Sequence, residues 1–214
     1  GNFATVVVAV HDPVAGTLTY SSAGHPPPIV AGSSAHEPIT AASAPPIGLG
    51  LRTGLRQTTV ALAPDSVVCL FTDGVLEARA GDELLGRERL AELVAQLGPD
   101  DRAEELLERV VGVADEAPDD MAVCLLRAPE GAALADLRVE ELELDAEEAQ
   151  NGVATRFLEA CELDPDATPA LLEELRTTAS ASGAALLAVT MDATGPLRAT
   201  VTPVESRSAR PTTV

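Results

Sequence analysis

Tryptophan is absent from the 214 residues, tyrosine occurs once and phenylalanine three times. A core must therefore be aliphatic, built from the Ala, Val and Leu that supply nearly all of the 46% apolar content. Basic residues are also scarce: 14 Lys and Arg stand against 34 Asp and Glu, for a net charge of −20. A field of that sign repels nucleic acid and disfavours an anionic membrane surface. Long apolar runs are missing too. Val67–Phe71 and Ala184–Val189 fall far short of the ~20 residues that a spanning helix needs, and no basic-then-apolar signal opens the chain. No nucleic-acid or membrane partner is expected, and the cytoplasm is the expected compartment. The three cysteines, Cys69, Cys124 and Cys161, have no CxxC pairing and no neighbouring His, so they are expected to be buried and reduced rather than bridged or catalytic.

What is present reads as strands first and helices late. Phe3–Val10 is a β-branched run, a turn follows at Asp12–Gly16, and Thr17–Ser21 completes a hairpin signal. The prolines of Ala23–Pro28 force extended backbone, and Ile29–Ala31 resumes as a short strand. Ala31–Gly54 lacks periodicity and predicts a surface loop, with His36, like His11, in a turn-like and solvated setting. Strands are predicted over Leu55–Leu62 and Ser66–Phe71, helices over Arg87–Gln96 and Arg102–Ala114, and a strand over Met121–Leu126. That order is an α+β pattern rather than an alternating one. Pro129–Ala133 reads as a linker. Beyond it come strand Leu137–Leu144, helix Ala146–Cys161, helix Pro169–Ser180, and strands Ala185–Met191 and Leu197–Thr202. The expected division is 1–129, 135–205 and a disordered tail over 206–214. The chain opens at Gly1 on a strand already under way, as a piece of something longer would.

Two aspartates carry the chemical interest. Asp73 lies just after one apolar strand and Asp119 just before another, so both are candidates for a sheet rim, where carboxylates can hold a hard divalent cation by oxygen ligands. On spacing alone, Asp73-Gly74 also fits an ordinary turn and Pro118-Asp-Asp120 an ordinary loop.

Five blocks then occur in order: Leu18-Thr-Tyr-Ser-Ser-Ala-Gly-His-Pro-Pro-Pro28, Pro45-Pro-Ile-Gly-Leu-Gly50, Cys69-Leu-Phe-Thr-Asp-Gly-Val-Leu-Glu-Ala78, Leu85-Gly-Arg-Glu-Arg-Leu90 and Asp119-Asp-Met-Ala-Val123. Their order and spacing over residues 3–127 resemble the SpoIIE-like phosphatases of the metal-dependent PPM type. The resemblance implies an αββα sandwich, of which this chain is the C-terminal part, with two Mn²⁺ or Mg²⁺ ions held by acidic residues at strand ends. It implies metal-ligand roles for Asp73 and Asp119, a tight backbone at Gly74 and support from Asp120. The implied activity is serine/threonine phosphoprotein hydrolysis by a metal-activated water, with no covalent phosphoenzyme. The implied substrate is a phosphorylated anti-sigma antagonist of the STAS type in a bacterial partner-switching circuit, and a homodimer is compatible with the reading. His25, in the Gly-His-Pro corner, is expected to be architectural, and Glu77 to cap or solvate its segment rather than bind metal.

The chain departs from that pattern. The family's first metal aspartates lie in an N-terminal half with no counterpart here, so metal binding by these residues alone is expected to be incomplete. Ser22 stands where Asn is usual and Ala122 where Thr is usual. The rival expectation is a non-catalytic scaffold that keeps the fold without a complete metal centre. Residues 135–205 form a small α/β second domain that resembles a degenerate GHKL ATPase: Glu174-Leu-Arg-Thr-Thr-Ala179 resembles its Glu-Leu-x-x-Asn-Ala box, but Thr178 takes the Asn position and no glycine-rich lid follows. A generic α+β tail fits these residues equally well, and neither reading implies ATP hydrolysis.

Overall fold

The computed structural model describes residues 2–39, 44–115, 119–128, 137–192 and 197–205. The expected linker and the expected tail lie outside these residues. The fold is α+β, built on a six-stranded and a three-stranded antiparallel sheet, with a small two-stranded one beside them.

The hairpin forms as expected from strands β1 (Val6–Asp12) and β2 (Thr17–Ala23). Its turn is fixed by the Asp12 carboxylate, which accepts the N–H groups of Val14 and Ala15, and by Gly16 at φ 65°. Those two N–H groups, Ala15 foremost, hold the Asp12 carboxyl below its ordinary range. Strand β2 pairs with β4 (Arg56–Ala61), and the short β3 (Ile29–Ala31) pairs instead with β5 (Val67–Phe71), which pairs with β8 (Val123–Arg127). Between β5 and β8 lie helix α1 (Asp73–Glu77), the two-residue strands β6 (Arg79–Ala80) and β7 (Glu83–Leu84), and helices α2 (Gly86–Ala95) and α3 (Ala103–Val113).

The C-terminal residues do not begin a sheet of their own. Strand β9 (Leu137–Asp145) pairs with β4, and β10 (Gly183–Asp192) and β11 (Arg198–Glu205) follow it, giving one six-stranded sheet in the order β1-β2-β4-β9-β10-β11. Helices α4 (Val153–Ala160) and α5 (Thr168–Ser182) separate β9 from β10. The register places Leu18, Tyr20, Thr58, Val60, Glu140, Leu142 and Leu187 on one face of this sheet. Over β2 and β4 that face is covered by the three-stranded sheet, through Val30 and Val68. Over β9 and β10 it is covered by α4 and α5, through Phe157, Leu158, Leu172 and Leu175. The opposite face of the three-stranded sheet packs on α2 and α3 through Leu90, Val94, Leu106 and Val110.

Glu140 sits on the covered face, wholly buried. Its Oε2 accepts from Arg56 at 2.8 Å and Thr58 Oγ1 at 2.7 Å, and its Oε1 accepts from Arg138 Nη2 at 2.6 Å and Nε at 2.8 Å. A carboxylate can be buried only when its lone pairs are met in this way. The cluster ties β9 to β4.

Several expectations need correction. Helix 146–161 is broken: Asp145 accepts the N–H groups of Glu147 and Glu148 to make a turn, and Gly152 at φ 78° resets the chain before α4 begins. Pro203 does not end its strand but lies within β11 opposite Ala185, tolerated because β11 is an edge strand. The 31–54 stretch is not simply a surface loop, since Ile39 is buried in the core beneath α4 and α5. His36 is not solvated. Its ring stacks on Tyr20 with centroids 6.4 Å apart, Nε2 accepts from the Tyr20 hydroxyl at 3.2 Å, and burial pushes its pKa down to about 4. His11 is half-buried, with its Nε2 shielded. Cys69 and Cys161 are buried, their thiols pushed up to about 12 chiefly by desolvation, but Cys124 is exposed on edge strand β8.

Candidate active site at the sheet rim

Strand β5 is the centre of the three-stranded sheet, and Val67, Val68, Cys69 and Phe71 are all buried. Its rigid end carries the candidate site. After Phe71 the backbone stays extended at Thr72 (φ −83°, ψ 155°) and turns into α1, whose first residue is Asp73. Strand β8 lies alongside with Val123 opposite Phe71, so the residues just before β8 run beside the start of α1.

Thr72 joins the two segments. Its N–H donates to the Ala122 carbonyl at 3.0 Å, its hydroxyl donates to the Asp120 carbonyl at 3.2 Å, and the same hydroxyl accepts the Ala122 N–H at 2.9 Å. Gly74 allows the approach: a Cβ at this position would lie 2.5 Å from the Asp120 carbonyl oxygen and 3.3 Å from the Asp119 carbonyl carbon. The segments bearing Asp73 and Asp119 therefore meet at one rim. Asp73, Asp119 and Asp120 are all exposed, and Asp119 Oδ1 accepts the Asp120 N–H at 2.8 Å. Two carboxylate-bearing segments held this close suit a hard divalent cation. Among the described residues, however, no group of three or more His, Cys, Asp or Glu side chains is placed to hold a metal ion.

The Gly-His-Pro corner supports the rim. His25 Nε2 donates to the Phe71 carbonyl at 2.8 Å, and its Nδ1 accepts from Thr5 Oγ1 at 3.3 Å. Gly24, at φ 68°, lies so close to Pro46 that a Cβ would approach that ring to 2.5 Å. Both ring nitrogens of His25 are thus engaged in holding the corner to the end of β5, which is the architectural part expected of it.

The model of the SpoIIE family, stage II sporulation protein E, matches residues 1–129. The chain belongs to the SpoIIE family. No curated protein matches this SpoIIE-family chain. Among solved structures it is similar to the phosphatase domain of the cell fate determinant SpoIIE from Bacillus subtilis, presoaked with Mn, at 17% identity and a TM-score of 0.48 over 61% of this chain and 58% of that one. It is also similar to the RsbU and RsbW domains of a Mycobacterium tuberculosis protein, at 20% identity and a TM-score of 0.47 over 92% of this chain and 60% of that one. The SpoIIE-family chain thus spans about three-fifths of the length of these solved relatives.

Thr72 is the rim residue that sequence reasoning missed. A hydroxyl directly before Asp73-Gly74, at the end of a buried strand, was the available signal, because such a side chain can bond backbone on the neighbouring strand.

Proposed function

We propose that this SpoIIE-family chain forms part of a metal-dependent serine/threonine phosphoprotein phosphatase, with Asp73 and Asp119 as ligands of Mn²⁺ or Mg²⁺. In this reading Gly74 keeps the two segments in contact, and Asp120 backs the site through its carbonyl bond to Thr72. The observation that carries the proposal is the closeness of Gly74 to the Asp119–Asp120 backbone.

Charge supports the same reading. Exposed carboxylates on a chain of net charge −20 repel a phosphoryl dianion, so binding one at this rim requires a local reversal of sign. Divalent cations supply that reversal and lower the pKa of bound water towards neutrality. The chain's own contribution is placement: β5 and β8 fix the carboxylates, Thr72 locks their register, and His25 holds the corner behind them. The substrate class we assign is a protein carrying phosphoserine or phosphothreonine, specifically a STAS-type anti-sigma antagonist in a partner-switching circuit.

The test is Mn²⁺-dependent hydrolysis of p-nitrophenyl phosphate by the full-length protein. Asp73→Asn and Asp119→Asn should each abolish it while leaving the thermal midpoint in EDTA unchanged. Full activity in both variants removes the assigned roles.

A second reading, a scaffold with no working metal centre, is favoured by the lack of a third grouped ligand among the described residues. A full-length protein that folds but neither binds Mn²⁺ nor hydrolyses the ester would establish it. For residues 137–205 we propose a degenerate GHKL-like unit without nucleotide chemistry. Its order is β9-α4-α5-β10-β11, and Thr178 sits half-buried on α5 with its carbonyl accepting from Ser182. Saturable ATP binding would contradict that assignment.

A further inference from the structure

A groove of about 650 Å³ follows β3 and α2. All three residues of β3 line it, and β3 is an edge strand whose outer side pairs with no other strand among the described residues. One wall is the stripe Glu88, Ala91, Glu92 and Ala95 of α2, whose spacing puts these positions on one side of the helix. From Glu88 to Ala95 that wall runs about 10 Å along the helix axis, the length of about three extended residues. The other wall is the segment from Ala35 to Pro38.

Both walls are acidic. Glu88 and Glu92 stand on one and Glu37 on the other, and all three are exposed. Among the described residues none of these carboxylates makes an ion pair or a side-chain hydrogen bond. One guanidinium lines the groove, that of Arg87; it lies in the field of Glu37 and donates to the carbonyls of Pro27 and Pro28. Arg138 reaches the same wall, donating to the Glu37 carbonyl, but its ion pair is with Glu140. His36, also in the lining, is neutral at pH 7 because burial pushes its pKa down to about 4. Arg87 set against the three carboxylates leaves an excess of negative charge in the groove.

We infer that this groove docks an extended, basic segment of a partner protein. Its main chain lies along β3 and bonds to the free edge, as in strand addition. Successive side chains of an extended chain point to opposite sides, so consecutive Lys or Arg residues meet Glu88 and Glu92 on one wall and Glu37 on the other. Ala91 and Ala95 leave room for them beside the carboxylates. The groove uses neither Asp73 nor Asp119, so the inference is independent of the metal assignment.

The probe is a fluorescein-labelled peptide, Ala-Ala-Arg-Lys-Arg-Ala-Ala, followed by anisotropy with the full-length protein in EDTA. It should bind saturably, and a peptide with Gln at the three basic positions should not. Glu88→Gln combined with Glu92→Gln should weaken binding by about fivefold or more. Ala95→Tyr, which fills the groove without changing its charge, should weaken it by about threefold or more. Glu104→Gln combined with Glu108→Gln, on α3 and outside the groove, should leave the affinity unchanged. All five positions are exposed, so the fold of these variants is not in question. No saturable binding at millimolar peptide, or wild-type affinity in either groove variant, would overturn the inference. An equal loss in the α3 variant would reduce the attraction to the net charge of the chain and overturn it as well. Displacement by spermine as effective as by unlabelled peptide would make the occupant a free polyamine instead of an extended chain.

Discussion

The α-carbon of Gly74 faces the Asp120 carbonyl so closely that a methyl group placed on it would sit 2.5 Å from that oxygen. The obstacle is backbone rather than a flexible side-chain tip, so it cannot swing aside. Gly74→Ala should therefore push the start of α1 away from the 119–120 segment, costing about 1–3 kcal/mol of stability. It should also lower Mn²⁺-dependent hydrolysis, because both candidate ligands would lose their spacing. Urea unfolding and ester hydrolysis by the same preparation check the two effects; wild-type behaviour in both would show that the approach is not needed.

Glu140 offers a second test. It is wholly buried, with Arg56, Arg138 and Thr58 as its partners. Glu140→Ala leaves two guanidinium groups facing each other across a vacated site and should destabilise the fold by about 3–5 kcal/mol. A change under about 1 kcal/mol in urea unfolding would mean that the arginines find water or other partners at little cost.

His36 gives a pH dependence with a definite sign. Its folded pKa is pushed from 6.5 to about 4, first by burial and then by the charge of Arg138. Between those values the unfolded chain takes up a proton that the folded chain refuses, so this contribution to stability is complete above pH 6.5 and diminishes as pH falls towards 4. The slope is at most about 1.4 kcal/mol per pH unit. His36→Gln should flatten the stability profile between pH 5 and 6.5 relative to wild type. Parallel profiles for the two proteins would show that His36 titrates as it does in water.

The cysteines can be counted chemically. Cys69 and Cys161 are buried, with thiols pushed up to about 12, whereas Cys124 is exposed. Ellman's reagent should titrate one thiol per native chain and three after denaturation. Three rapid reactions in the native state would contradict the burial of the other two.

Local pattern carried much of this architecture. The β-branched run before Asp12, the buried run Val67–Phe71 and the spacing of Leu90, Val94, Leu106 and Val110 each identify their element, because burial on one or both faces leaves a periodic trace. The rim was legible as two aspartates beside apolar strands, although the hydroxyl of Thr72 that joins them was not recognised. What local pattern could not show was pairing between distant segments. Nothing in Leu137–Asp145 identifies β4 as its neighbour, and the arginines that satisfy Glu140 come from two strands far apart in sequence. The same holds for His36, whose turn-like surroundings gave no sign of Tyr20 stacked upon it. The break at Gly152 was readable in principle, since a glycine near an Asp-led turn is a common place for a helix to restart.

The ladder between β4 and β9 bears on how the protein can be dissected. A protein cut after residue 129 would expose the Arg56–Val60 side of β4, whose N–H and C=O groups now bond to β9, as an open template for other chains. Poor behaviour of such a fragment in the test tube would then reflect an uncovered seam rather than a defect in residues 1–129 themselves.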